Sequence, residues 1–262
     1  MRKALLFTKR NLTEMVRDPL IYIFCAGFPV AMILIFQLIL HYSGESTPVF
    51  YVKSLIPGVI MFGYSLVMLM TSLLVSKDRT SAFLKRLFTS PLKSYQFIIG
   101  YAVPFLIVGL IQDVLCITLG YIFGATSGTG FISFDKAILL VVEMLPMLIT
   151  CIMLGILFGT LLNDKSAPGI CSIFISASGI LGGSWMPIDV MGEFESVCTY
   201  LPFYPSVALG RIITNASHTI PNTYYTFSEN GVIYLLVMLG YLALSLFLAI
   251  YVFSRKMNST NN

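Results

Sequence analysis

The sequence predicts an all-α integral membrane protein: six transmembrane helices, an N-terminal interfacial amphipathic helix, and re-entrant outer helices between spans five and six. Three observations lead to that class. Hydrophobic residues fill 57% of the 262 positions and charged residues only 11%, whereas soluble domains are about 25% charged. With a mean hydropathy of +0.87, a single soluble core would leave a large apolar excess, which a bilayer absorbs. Uncharged windows recur at the roughly 20-residue length a spanning helix needs. Finally, 13 of the 16 Lys and Arg fall in alternate connections between those windows.

Taken in order, residues 2–18 read as a helix lying in the membrane interface. At 100° per residue, Ala4, Leu5, Thr8, Leu12, Met15 and Val16 share one arc, and Arg2, Lys3, Lys9, Arg10 and Arg17 another. Pro19 ends this arm. Spans are expected at 20–40, 55–76, 95–123, 137–162, 166–186 and 231–254, the whole chain 1–262 forming one transmembrane domain. The third window, about 29 residues, is read as one long or kinked helix, because no Gly or Pro near Gln112–Asp113 would turn it. The cluster Gly124–Gly130 is the better loop. Between Trp185 and Arg211 the chain is apolar, but Pro187, Pro202 and Pro205 divide it into pieces too short to cross. Short helices at 187–211 dipping into the outer leaflet fit, provided protein surrounds their backbone.

Charge sets the orientation. The arm, the connection 77–93, Lys165, and Arg255–Lys256 carry the basic residues, while Lys53, Lys136 and Arg211 stand alone on the other side. The positive-inside rule places both termini in the cytoplasm, which requires an even number of spans. No cleavable leader is expected, since the first apolar run begins only at Leu20 and is of full spanning length.

Several functions are excluded by what the residues lack. There is no G-x-x-x-x-G-K-[ST], H-E-x-x-H or G-x-S-x-G motif. The five cysteines show no C-x-x-C spacing, which argues against a disulfide framework or a zinc site. His41 and His218 have no partner at ligand spacing and read as loop residues. No catalytic residue, metal, cofactor or nucleic-acid partner is expected.

Two sets of residues do carry chemistry. Asp113 and Glu143 lie inside spans, where a charge costs about 2.5–3.5 kcal/mol and needs a cavity or a partner. Counted at 1.5 Å per residue, Asp113 lies about 27 Å above the start of span three and Glu143 about 10 Å below the outer start of span four. Either they are hydrated or packed groups, or they line an outward-opening path. In the connection 77–92, Phe83, Leu84, Leu87 and Phe88 recur at helical spacing beside Lys85 and Arg86. Such a segment can fix topology and rest on anionic lipid, or fill a groove in a cytoplasmic partner. Gly155-x-x-x-Gly159 in span four suits close helix approach.

Three stretches together resemble the permease subunits of ABC-2 type ATP-binding-cassette transporters. They are Val16–Arg17–Asp18–Pro19–Leu20 before span one, Lys77–Leu92 after span two, and Ser178–Pro187 followed by Leu201–Pro205 and Arg211. Lys77 and Ser81–Ala82 depart from the family's commoner acidic and Gly-Thr residues. The resemblance implies a six-span, multi-pass subunit of a bacterial plasma membrane, paired with an identical or related permease and surrounded by lipid. It implies a separate ATPase subunit that pushes on Arg17, Asp18, Arg79, Phe83, Leu84, Lys85, Arg86 and Leu87, and export of a drug-like, lipid-like or polysaccharide-like cargo. An ion-coupled transporter or channel using Asp113 and Glu143 is the main alternative. An intramembrane enzyme and a membrane anchor without transport have less support in the residues.

Overall fold

The structure, a computed structural model, describes residues 2–43, 48–80, 94–128, 130–220 and 223–259. Among them the regular structure is helical, apart from one isolated antiparallel bridge between Ser217 and Tyr224.

Helix α1 (Arg2–Arg17) covers one end of the bundle. The side that packs is rotated from the arc read from the sequence and shares only Met15 with it. Phe7, Asn11 and Met15 are buried at i, i+4 and i+8, while Leu5, Leu6 and Val16 stay exposed. Phe7 meets Phe97 and Tyr101 edge-on at 5.6 and 5.0 Å. Asn11 donates its amide to the Gly100 carbonyl at 3.0 Å. The arm therefore presents two apolar faces, one gripping protein and one left free. Asp18 then caps the next helix, accepting from the Leu20 amide at 2.9 Å, with Pro19 at the first helical position.

Helix α2 (Pro19–Tyr42) contains a wide π-turn over Tyr22–Gly27. Pro29 accounts for it. The proline has no N–H for the carbonyl of Cys25 four residues back, and its ring would crowd that carbonyl in a regular turn. Helix α3 (Val52–Thr80) is the central post. Leu55, Ile56, Val59, Tyr64 and Val67 are wholly buried. Helix α4 (Ser94–Thr126) runs unbroken through Gln112 and Asp113 despite Pro104. Helix α5 (Phe134–Leu161) packs on α3 backbone to backbone. A methyl group on Gly155 would lie 2.6 Å from the Met68 carbonyl, and one on Gly159 would lie 2.6 Å from that of Ser72. The small-residue pair is thus a close crossing of these two helices.

Helix α6 (Ala167–Leu181) is shorter than the expected fifth span, about 22 Å at 1.5 Å per residue. It stops because Gly183 takes a positive φ of 66° and Ser184 folds back to donate to the Gly58 carbonyl on α3 at 2.8 Å. Trp185 then meets Phe62 edge-on and stacks against Phe36. Helices α7 (Glu193–Thr199) and α8 (Phe203–Thr214) follow, and α8 is almost entirely buried between α3, α5 and α9. Helix α9 (Phe227–Ser259) completes the bundle. Five described helices (α2, α3, α4, α5 and α9) are long and apolar enough to cross a bilayer, and α6 is a shorter apolar helix.

Candidate functional site

The end of the bundle that carries α1 holds a polar truss. Asp78, 3% exposed near the end of α3, accepts from both guanidinium nitrogens of Arg10 at 2.8 and 3.0 Å and from the Tyr101 hydroxyl at 2.9 Å. Arg10 also pairs with Glu14 at 2.7 Å, and Lys77 reaches the same Glu14 at 3.3 Å. Partial burial pulls the Arg10 guanidinium down, but the hydrogen bond and charge of Asp78 outweigh it and hold Arg10 above its ordinary value. Three helices (α1, α3 and α4) are therefore clamped by one carboxylate. The fork-to-carboxylate geometry makes the clamp directional as well as strong.

Arg79, one residue on, faces the other way. Its guanidinium donates to the carbonyls of Thr160 and Leu162 and to Asn163 Oδ1, the last two at 2.9 and 2.7 Å. Lys256 Nζ joins at the Thr160 carbonyl, 2.9 Å away. Cations thus satisfy carbonyls that α5 leaves open at its C-terminus. The resemblance assigned Arg79 to an external partner; within the chain its guanidinium braces α3 on the end of α5. Asp18 is engaged as a helix cap, and Arg17 is exposed beside Asp18, Glu14 and Lys77 around an open groove of about 720 Å³. Phe83, Leu84, Lys85, Arg86 and Leu87 lie outside the described residues.

Deep in the bundle, Tyr64 of α3 donates to both oxygens of Asp113 at 2.8 Å, and Asp113 is fully buried. Next to it, Gln112 donates to the Ile60 carbonyl at 3.2 Å. Both carboxylate oxygens of Glu143 on α5 are buried with no hydrogen-bond partner among the described residues. Tyr64 thus ties α3 to Asp113 on α4. Sequence reasoning placed the two acids on adjacent helices but did not find the tyrosine that holds Asp113.

The opposite end is organised by Arg211, only 1% exposed on α8. It donates to the Ser54 carbonyl at 3.2 Å, the Gly183 carbonyl at 2.6 Å and the Tyr225 hydroxyl at 3.2 Å. Its guanidinium lies over the Tyr225 ring, and His218 stacks on the same ring at 3.8 Å. His218 Nδ1 meets Asp189 at 3.2 Å, and the amide and hydroxyl of Thr219 donate to the same carboxylate. Burial alone would raise Asp189, but His218 and Thr219 prevail and hold it below the usual carboxylate value. His218 thus has a partner that linear spacing could not reveal. No group of three or more metal-ligating side chains occurs among the described residues.

A helical bundle of this hydropathy, with polar clamps at its two ends and acids between, is the frame of a membrane transporter. The model of the family described as "ABC-2 family transporter protein" matches residues 41–252, and the chain belongs to that family. As a member it is a transmembrane permease subunit rather than the ATPase. Two curated relatives carry the name "Probable multidrug ABC transporter permease YbhR", one from Escherichia coli (strain K12) and one from Escherichia coli O157:H7. Each is 41% identical to this chain over 71 residues, which is 27% of the chain and 18% of the relative. The match therefore spans less than a fifth of those relatives' length.

Proposed function

We propose that the chain is the permease of an ATP-driven exporter, powered by a separate ATPase subunit. In this reading α6 extended by Gly182–Met186 is the fifth of six spans, 187–211 re-enters the outer leaflet, and both termini are cytoplasmic. Two permeases, identical or related, enclose the path, and Asp113 and Glu143 supply its polar groups. The cargo is drug-like, lipid-like or polysaccharide-like. The multidrug name of the relatives favours the first of these.

The observation that carries the reading is the double brace at the stem of the connection 77–92. Asp78 ties the stem to α1 and α4 while Arg79 ties it to the C-terminal end of α5. A push on that connection reaches four helices through two adjacent residues, which is what coupling to an external motor needs. Phe83, Leu84 and Leu87 would fill the motor's groove, with Lys85, Arg86, Arg17 and Asp18 around it.

The test is to purify the tagged chain from its native membrane and measure co-purifying ATP hydrolysis. Truncating a buried aromatic anchor costs about 2 kcal/mol or more of docking, a roughly thirtyfold loss of affinity. Phe83→Ala and Leu84→Glu should therefore strip the ATPase, while Lys85→Ala should weaken it only at low salt. Full retention in Leu84→Glu would overturn the coupling assignment. A second reading, an ion-coupled transporter or channel, draws on one feature, the unpartnered carboxylate of Glu143. It requires transport without ATP in vesicles holding this chain alone, an outcome opposite to the first reading.

A further inference from the structure

Helix α2 stands away from the bundle. Only 17% of its most apolar window is buried, against 83% for α3. At the end opposite α1 this leaves a cavity of about 690 Å³, walled by Leu34, Leu38 and His41 of α2, by Phe123 and Thr126 of α4, and by Ser127 in the turn that follows. Gln37, Leu40 and Ser127 also wall a second cavity of about 390 Å³, whose far side is Lys53, Ser54, Asn215 and Tyr224. The shared walls make the two one bent groove. Gln37 at the bend is pinned by its hydrogen bond to the Phe50 carbonyl at 2.9 Å.

The two arms differ in chemistry. Between Leu34 and His41 the first arm runs about 10 Å along α2, at 1.5 Å per residue. Its Leu34 and Leu38 side chains are exposed where the bundle meets lipid. The second arm is cationic. Lys53 is half-buried in its wall, and no ion pair with a carboxylate involves it among the described residues. Lys136 Nζ reaches the same mouth, 2.9 Å from the Asn215 side-chain oxygen once that amide is oriented to satisfy both its groups. Asp135 sits beside Lys136 in sequence but is exposed. The Ser54, Ser127 and Tyr224 hydroxyls add donors, and among the described residues no carboxylate lines either arm.

We propose that this groove binds one anionic phospholipid of the leaflet opposite the α1 face. Its phosphate sits at Lys53 and Lys136, and the upper part of an acyl chain lies between α2 and α4. A small soluble anion would satisfy the lysines and leave the apolar arm open. A zwitterionic lipid fills the arm but brings its own cation to a mouth already cationic. A second copy of the chain would have to press an acidic side chain into the bend. This site is independent of the transport reading above, since it needs neither ATPase nor cargo.

The test is native mass spectrometry of the purified full-length chain, titrated with phosphatidylglycerol or phosphatidylcholine carrying the same acyl chains. Wild type should retain one phosphatidylglycerol in preference to phosphatidylcholine. Each of Lys53→Ala and Lys136→Ala should cut that preference about fivefold, the contribution of one lysine at an anionic surface. Leu38→Trp, which fills the apolar arm, should lower occupancy by both lipids, while Lys165→Ala at the other end should leave the preference intact. The proposal is overturned by any of three results: no preference in wild type, an unchanged preference in the double lysine variant, or an equal fall in Lys165→Ala. A lipid-free dimer cross-linked through a cysteine at position 38 would overturn it in favour of a second copy.

Discussion

Removing Asp78 should loosen α1 from the bundle by an amount the geometry constrains. Asp78→Ala deletes two charge-assisted bonds from Arg10 and one from Tyr101. Arg10 keeps Glu14 at 2.7 Å and Asn11 Oδ1 at 3.1 Å, so it is not stranded. The full penalty of breaking a buried pair, about 3–5 kcal/mol, therefore does not apply, and the 35% exposure of Arg10 lowers it further. What remains is about 1–2 kcal/mol for the ion pair plus about 1–3 kcal/mol for the buried Tyr101 hydroxyl. A loss near 3 kcal/mol is expected. Arg10→Ala should cost about the same, for the converse reason: it takes the guanidinium from a nearly buried carboxylate. The double variant should then be less damaged than the sum, with a coupling of about 1–2 kcal/mol. Equilibrium unfolding of the purified protein in mixed micelles would measure all three, and proteolysis of α1 would show whether the arm is what loosens. Additivity to within about 0.5 kcal/mol would refute the clamp.

Other consequences can be checked in the same preparations. Gly155→Leu forces a side chain against the Met68 carbonyl at a crossing with no slack, and should cost more than about 2 kcal/mol by unfolding. If Asp113 and Glu143 serve a path, Asp113→Asn and Glu143→Gln should change cargo-stimulated ATP hydrolysis of the assembled complex without lowering its amount in the membrane; wild-type transport in both would mark them as packing groups. The loop that Asp189 holds should be acid-sensitive. Because Asp189 is held below its unfolded value, its contribution is complete above about pH 4 and is lost as pH falls through the lower folded value. Protection of the His218, Thr219 and Tyr225 amides against hydrogen exchange, taken relative to the intrinsic rate at each pH, should fall on acidification in the wild type. Asp189→Asn should show low protection at every pH, and a flat protection profile in wild type would refute the link.

The class of the fold was legible because it rests on length, hydropathy and the alternation of basic residues, all linear properties. The course of α4 through Gln112 and Asp113 was legible for the same reason, since nothing there can turn a chain. Helix α6 was not. Its apolar window continues to Met186, and hydropathy does not register that Gly183 adopts a positive φ or that Ser184 is drawn back onto Gly58. The arm shows the same limit. Asn11 is polar and was left off the apolar arc, yet it is wholly buried because the Gly100 carbonyl receives it. Burial of a polar side chain depends on a partner 89 positions away, and no periodicity can report that.

The candidate site divides along the same line. Asp78, Arg79 and Arg211 were visible as charges, and the positive-inside reading used the two arginines only as counts. Their use depends on direction. Asp78 and Arg79 are neighbours in sequence but about 100° apart on the helix, so one turns toward α1 and the other toward the end of α5. Had both faced outward they would be surface charges whose loss matters little. Facing inward on two sides, they brace the stem of the connection 77–92 against α1, α4 and the end of α5. That is an unfavourable place for a loop that only orients the protein in the bilayer, where flexibility would cost nothing. It is a favourable one for a lever, because a force applied beyond a compliant stem would be absorbed there rather than passed to the helices. The argument makes Arg79 informative in its own right. Arg79→Ala should leave any docked ATPase in place, since that guanidinium points into the bundle, yet it should uncouple hydrolysis from transport. Loss of docking in that variant would instead put Arg79 at the partner's surface.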